Sequence, residues 1–265
     1  MSISRRKLLE ASVFLSVSPL AFSQTPKTIV VGVTSGPHAE IMEVVKAIAD
    51  KAGFPMKIVE FSDFVQPNAA LEAGDIDLNS FQHQPFLDRQ NQDRGYHLVS
   101  VAKTVTFPLT FYSKKGYKTL ADLPKKAKVA IPNDPTNGGR ALNMLADQGV
   151  IRLRDGVGHT ATVLDIVENP KKIQIIELEA PQLPLSLTDV DIAAINGSYA
   201  QPAGLDPKRD VIFTERADCP YANILVVRQK DAQAPWVKEF IKLYQTPEVK
   251  AFIEKRFQGN MICAW

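Results

Sequence analysis

The chain has 265 residues, of which 45% are hydrophobic and 23% charged, with 31 Lys+Arg against 29 Asp+Glu and a formal net charge of +2. Such proportions suit a globular protein of one large or two modest domains. No stretch reaches the ~18 consecutive apolar residues of a transmembrane helix, and no Lys/Arg-rich run gives the basic excess expected of a nucleic-acid binder.

The N-terminus reads as an address. Arg5, Arg6 and Lys7 precede the apolar run at 11–22, and Ala21 and Ser23 are small residues placed for cleavage. Residues 1–23 therefore read as a cleaved signal peptide. The string Ser4-Arg5-Arg6-Lys7-Leu8-Leu9 also resembles a twin-arginine export motif, the alternative being a Sec signal with two adjacent arginines. Removing 1–23 takes three basic residues from 31 and one acidic residue from 29, leaving 28 of each and no formal charge. Cys219 and Cys263 both lie far from the cleavage site, so the expectation is a periplasmic protein without a lipid anchor. The two thiols could pair in an oxidising compartment or stay free, and their spacing is not that of a zinc site.

Strands and helices then alternate. Residues 28–34 (TIVVGVT) predict a buried strand; Gly36 and Pro37 open a helix in which Ile41, Val44, Val45 and Ile48 recur at helical spacing, and Gly53 stops it. A strand is expected at 56–61, a helix around 67–73 and a short strand at 75–78, a βαβαβ beginning that argues for a largely parallel sheet. The pattern restarts with a strand at 128–131, the turn PNDPTNGG and a helix from about Arg140 to Gln148. Strands follow at 173–178, 190–195, 211–215 and 224–228, then helices near 234–244 and 247–257.

The segments Gly74-Asp75-Ile76-Asp77-Leu78-Asn79 and Asp189-Val190-Asp191-Ile192-Ala193-Ala194-Ile195-Asn196 rhyme. Each gives acid, apolar, acid, apolar and then a polar residue, which suggests two similar α/β lobes presenting side chains at the carboxyl ends of their strands. Pro-containing extended stretches at about 104–113 and 217–224 are the expected crossovers, with lobe one at 24–108 and 224–265, lobe two at 109–223, and the ligand between them.

Four strings carry a resemblance: PNAALEAGDIDLNSFQHQPFLD (67–88), PNDPTNGGRAL (132–142), DGVGHTATVLDIVENPKKIQIIELEAPQLPLSL (155–187) and CPYANILVV (219–227). They are similar to the methionine-binding, or NlpA lipoprotein, family of ABC importer substrate-binding proteins. The resemblance implies a type II periplasmic binding protein fold, a methionine-like ligand (L- or D-methionine, a methionyl dipeptide or another apolar amino acid), permease and ATPase partners, and a monomer. It also implies that Arg140 holds the ligand carboxylate, for which a guanidinium offers two parallel hydrogen bonds, helped by a helix start. Asn196 and Asn223 would contact the amino-acid backbone as donor and acceptor at once. Phe64, Phe81 and Phe86 would form apolar walls suited to a thioether, with His83 a hydrogen-bonding neighbour rather than a metal ligand. The chain departs from the family at Phe64, Phe86 and Phe107, where tyrosine is frequent, and at Gly138, where a bulkier residue is frequent.

No metal or cofactor is expected, and no enzymatic motif stands out. GxSxG is absent, and DPTNGGR lacks the GK[ST] ending of a phosphate loop. A non-transport sensor or adhesin on the same fold stays open, as does an enzyme on it.

Overall fold

A computed structural model describes residues 27–206, 209–216 and 220–265. The first half runs β1 (Ile29–Thr34), α1 (Pro37–Lys51), β2 (Met56–Phe61), α2 (Gln66–Ala73), β3 (Leu78–His83), α3 (Gln84–Arg94) and β4 (Leu98–Thr106). The middle runs β5 (Thr110–Tyr112), β6 (Lys128–Pro132), α4 (Pro135–Asp147), β7 (Arg152–Leu153), β8 (Ile166–Glu168), β9 (Gln174–Leu178), α5 (Leu183–Ser186), β10 (Ile192–Ile195), α6 (Gly197–Ala200) and β11 (Val211–Thr214). The chain closes with β12 (Ala222–Arg228), α7 (Pro235–Tyr244), α8 (Pro247–Phe257) and β13 (Ile262–Cys263).

Two sheets form two lobes. The first has the order β13-β4-β12-β3-β1-β2, and the second β11-β5-β10-β6-β9. In the first, β1 is parallel to β2 and β3, while β12 is antiparallel to β3 and β4. In the second, β6 is parallel to β9 and β10, while β5 is antiparallel to β10 and β11. Each sheet is covered on both faces, and strand alternation shows how. Leu225 and Val227 of β12 join the core with α1, α7 and α8, whereas Ile224 and Val226 face Leu71 of α2 and Leu87 of α3. In β10, Ile192 and Ala194 pack with Leu142 and Leu145 of α4, whereas Ala193 and Ile195 pack with Leu183 and Leu187 on the α5 side. Successive side chains point to opposite faces, so the near-continuous apolar runs of these strands fill two layers at once.

The rhyme between the halves has a structural cause. Asp77, just before β3, donates its N–H to Val30 O at 2.7 Å and accepts the Val30 N–H at 3.0 Å on its carboxylate. Asp191, just before β10, does the same with Lys128, at 2.9 and 2.7 Å. Each acid also takes basic side chains, Lys27 and Arg228 on Asp77 and Lys115 on Asp191. Against the opposing effect of burial, these bonds hold both carboxyls below their ordinary range.

Several boundaries differ from the sequence expectation. The short strand expected at 75–78 lies at Leu78–His83, because Asp75 and Asp77 are held in the turn after α2. The stretch expected as the first crossover is mostly strand: β4 reaches Thr106 and β5 begins at Thr110, so only Phe107, Pro108 and Leu109 pass between the sheets. The second crossover falls between Thr214 and Ala222, where β12 starts; Cys219 lies within it, outside the described residues, and Cys263 ends β13 half-buried. The two crossovers are laced together, Glu215 N donating to Leu109 O at 2.9 Å and Leu109 N to Glu215 Oε2 at 3.3 Å. The lobes also meet at Gly36, whose φ of +87° and whose approach to Pro202 (an added Cβ would stand 2.9 Å from Pro202 Cγ) both call for glycine.

Candidate functional site

Between the lobes lies a narrow cavity of about 20 Å³ lined by Phe64, Phe81, Gln82, His83, Phe86, Phe107, Asn137, Arg140, Asn196, Ser198 and Asn223. All seven residues singled out from the sequence border it. It lies at the carboxyl ends of β3, β6 and β10, where open α/β sheets place ligands. Its walls are drawn close, with free space for little more than a water-sized sphere, so a larger guest enters only as the lobes part.

The lobe-one wall is aromatic. The Phe81 and Phe86 rings meet edge to face at 5.9 Å, and Phe64 lies 5.9 Å from Phe81 and 6.3 Å from Phe86. Phe64 also reaches across to Tyr199 of α6, at 5.0 Å. His83 ends β3 and caps α3: its Nδ1 accepts the Phe86 N–H at 3.2 Å. That leaves the proton on Nε2, which donates to Asn137 Oδ1 of the other lobe at 3.3 Å. Burial, with the Arg140 charge adding to it, pushes the His83 pKa down to about 3, so the ring is neutral. His83 therefore borders the cavity, but both ring nitrogens are taken by protein groups. Asn223, at the start of β12, donates Nδ2 to Phe81 O at 3.1 Å and to His38 Nε2 at 3.0 Å. Burial likewise lowers His38 to about 3.

The lobe-two wall is polar and centres on α4. Asp134 caps that helix by accepting the Asn137 N–H at 2.8 Å, and Pro135 fills its first position. The helix thus begins five residues earlier than expected. Arg140 sits in its second turn, where the free N–H groups of a helix start are no longer available. Asn137 Nδ2 is tied to Asp134, so its Oδ1 faces Asn196 Nδ2 at 3.1 Å, His83 Nε2 at 3.3 Å and Arg140 Nη1 at 3.5 Å. Asn196 Oδ1 is buried with no hydrogen-bond partner among the described residues, an exception to the rule that buried polar atoms are paired.

Arg140 is buried and held on three sides. Its Nε donates to Glu215 Oε1 at 2.8 Å, its Nη2 donates to Glu215 Oε2 and to Phe107 O (3.0 Å), and its guanidinium carbon lies 4.1 Å from the centre of the Tyr221 ring. The two parallel bonds expected for a ligand carboxylate are made to Glu215 instead. Nη1, whose contact with Asn137 is long, is the nitrogen best able to take a new acceptor. Gly138 does not border the cavity. A Cβ there would stand 2.7 Å from Pro132 O, and one at Gly139 only 2.3 Å from His159 O, so both glycines let α4 lie close on β6 and its neighbouring loop.

Sequence reasoning missed Gln82, Asn137 and Ser198 on the walls, and Glu215 behind them. The Asp134-x-x-Asn137 spacing carried a visible capping signal for one of these. Glu215 carried none, since it meets Arg140 only through the tertiary fold. Among the described residues, no group of three or more His, Cys, Asp or Glu could hold a metal, and no helix is long and apolar enough to cross a membrane.

The NlpA lipoprotein family model matches residues 29–265. The chain belongs to the NlpA lipoprotein family. Within it, the D-methionine-binding lipoprotein MetQ of Salmonella typhimurium is 49% identical over 243 residues, covering 91% of this chain and 89% of that protein, and MetQ of Escherichia coli K12 is similar at the same identity and coverage. A nutrient-binding protein from Burkholderia cenocepacia, solved bound to methionine, superimposes with a TM-score of 0.87 at 52% identity, covering 90% of this chain and all of that one. The fold is therefore the two-lobe fold of these periplasmic binding proteins. The lipoprotein name carried by NlpA relatives runs against the expectation of an unanchored chain, which rested only on where the two cysteines fall.

Proposed function

We propose that this chain is an exported, periplasmic substrate-binding protein that captures methionine or a close relative and hands it to the permease and ATPase of an ABC importer. The observation that carries this reading is the division of one interlobe cavity into a wall of phenylalanines and a wall of amides plus a paired guanidinium. A thioether side chain suits polarisable ring edges. The ligand carboxylate would take Arg140 Nη1, and its ammonium would meet Asn196 Oδ1. The names of the relatives, which give D-methionine, and of the solved neighbours, which give methionine, support the same ligand. In this reading lobe one comprises 24–108 and 224–265 and lobe two 109–223, a division that the two separate sheets support except that β12 carries Ala222 and Asn223 into the first sheet, and the protein acts as a monomer. The ligand bridges both walls, so it binds the closed form better and shifts the population toward it.

The test is calorimetric titration of protein stripped of carried ligand by unfolding and refolding. L-methionine, D-methionine, glycyl-methionine and leucine are the panel. Micromolar or tighter binding (about −8.2 kcal/mol or better) of a methionine-containing ligand, with compaction in X-ray scattering, is the expected result. Silence across the panel would remove amino-acid capture as the function.

A further inference from the structure

Arg140 is not a bare cation waiting for a carboxylate, because it already has one. Glu215 lies on the second crossover with its side chain 10% exposed, and that of Arg140 is 3% exposed. The Glu215 carboxylate accepts from Arg140 Nε and Nη2 and from the Leu109 N–H at 3.3 Å, while its own N–H is bonded to Leu109 O at 2.9 Å. It is thus bolted to both crossovers, and its charge balances that of Arg140. The remaining charge-bearing candidates on the wall are neutral: His83 is an uncharged ring whose nitrogens are both engaged. On the same wall, Asn196 borders the cavity and carries a buried, unpartnered acceptor, Oδ1.

The geometry points to Glu215 as the residue that makes the cavity select zwitterions: it fixes the Arg140 guanidinium and cancels its charge, so that a ligand is held only if it brings an ammonium together with its carboxylate. The inference rests on the amino-acid-capture reading and deepens it. In a buried site an uncompensated cation would draw in any small carboxylate, because charge in a poorly solvated region must be matched. A neutral Arg–Glu pair offers a carboxylate one directional donor and no net charge. A ligand with a net negative charge would then be buried without compensation. A zwitterion brings its own, and its ammonium satisfies Asn196. Glu215 does this without touching the ligand, acting through Arg140 as a positioning residue.

The experiment compares L-methionine with 4-(methylthio)butanoate, the same skeleton without its ammonium, on the full mature protein and on Glu215→Gln. The wild type is expected to favour methionine by about 100-fold. Glu215→Gln is expected to narrow that ratio by about tenfold or more, chiefly by tightening the anion, a change that mere loss of structure would not produce. Methionine binding by Glu215→Gln with the ratio unchanged would overturn the role of Glu215 and leave amino-acid capture standing. A wild type that binds no amino acid in the panel would overturn the capture reading and this role with it. Should Glu215→Gln not fold, Glu215→Asp decides. It keeps the charge but cannot reach both guanidinium nitrogens as well, so methionine should weaken while the ratio stays within about threefold of wild type; collapse of the ratio in that variant would overturn the charge-cancelling role.

Discussion

Phe64, Phe81 and Phe86 on one wall of the cavity hold one another through ring edges, whereas Asn137, Arg140 and Asn196 on the other are held by directional hydrogen bonds to groups far away in sequence. The first kind of wall tolerates adjustment, since dispersion and apolar burial are non-directional. The second kind fails abruptly, since removing one member leaves a buried partner unsatisfied. The apolar wall can choose a class of side chain, and the polar wall fixes which end of the guest points where.

The largest effect should come from breaking the polar wall. Arg140→Ala strands the Glu215 carboxylate in a buried position, so stability should drop by about 3–5 kcal/mol in urea unfolding, and methionine affinity should fall by about 100-fold or more in calorimetry. An unchanged affinity would mean that the guanidinium serves the crossovers alone.

Acid should separate the walls next, because the two neutral histidines, His38 and His83, both belong to lobe one. Burial lowers each to about 3 from 6.5. The unfolded chain therefore binds protons below pH 6.5 that the folded chain refuses until near pH 3. Stability is complete above 6.5 and is lost as pH falls, by about 1.4 kcal/mol per unit for each ring. From pH 7.5 to pH 5 the pair should cost about 4 kcal/mol, read as a shift of the urea midpoint. His83→Gln should remove about half of that slope. A flat profile would show that both rings are solvated or charged in the folded protein, and a halved slope that one of them is. The depressed carboxyls Asp77 and Asp191 titrate below this window and do not confuse it.

The smallest of these effects should come from the aromatic wall. Phe64 is only half-buried, and Phe64→Ala removes its contacts with Phe81, Phe86 and Tyr199 while leaving every polar bond in place. Methionine affinity should weaken by about tenfold, with the pH dependence untouched. If Phe64→Ala cost more affinity than Arg140→Ala, the contrast between the walls would be inverted, and ring contact would be the main determinant of binding.

Much of the lobe architecture was legible because local chemistry and tertiary structure agree there. The strand at Met56–Phe61 and the helix at Pro247–Phe257 fall where periodicity puts them, and the Asp77/Asp191 rhyme marks two strands capped in the same way. Five of the seven cavity residues, Phe81, His83, Phe86, Arg140 and Asn223, lie within the family strings, which kept them in recognisable contexts, whereas Phe64 and Asn196 lie just outside them. The failures share one cause. The run at 104–113 reads as a Pro-bearing linker, yet Thr104 and Thr106 belong to β4 because β12 supplies its edge. The start of α4 was misplaced because the cap at Asp134 overrides the two glycines that discourage helix locally.

The sequence alone determined the alternation of elements and suggested the two-lobe plan, since these follow from spacing and side-chain chemistry along the chain, while the residues at the cavity came from the family resemblance. Only the tertiary structure decided which groups are already satisfied. His83 gives both nitrogens to the protein, Arg140 spends its forked edge on Glu215, and Asn196 keeps a buried acceptor open. The bonds that fix these three side chains, His83 to Asn137, Arg140 to Glu215 and Asn196 Nδ2 to Asn137, join residues 54, 75 and 59 positions apart, and hydrogen bonds are set by ångström-scale geometry that no one-dimensional pattern records.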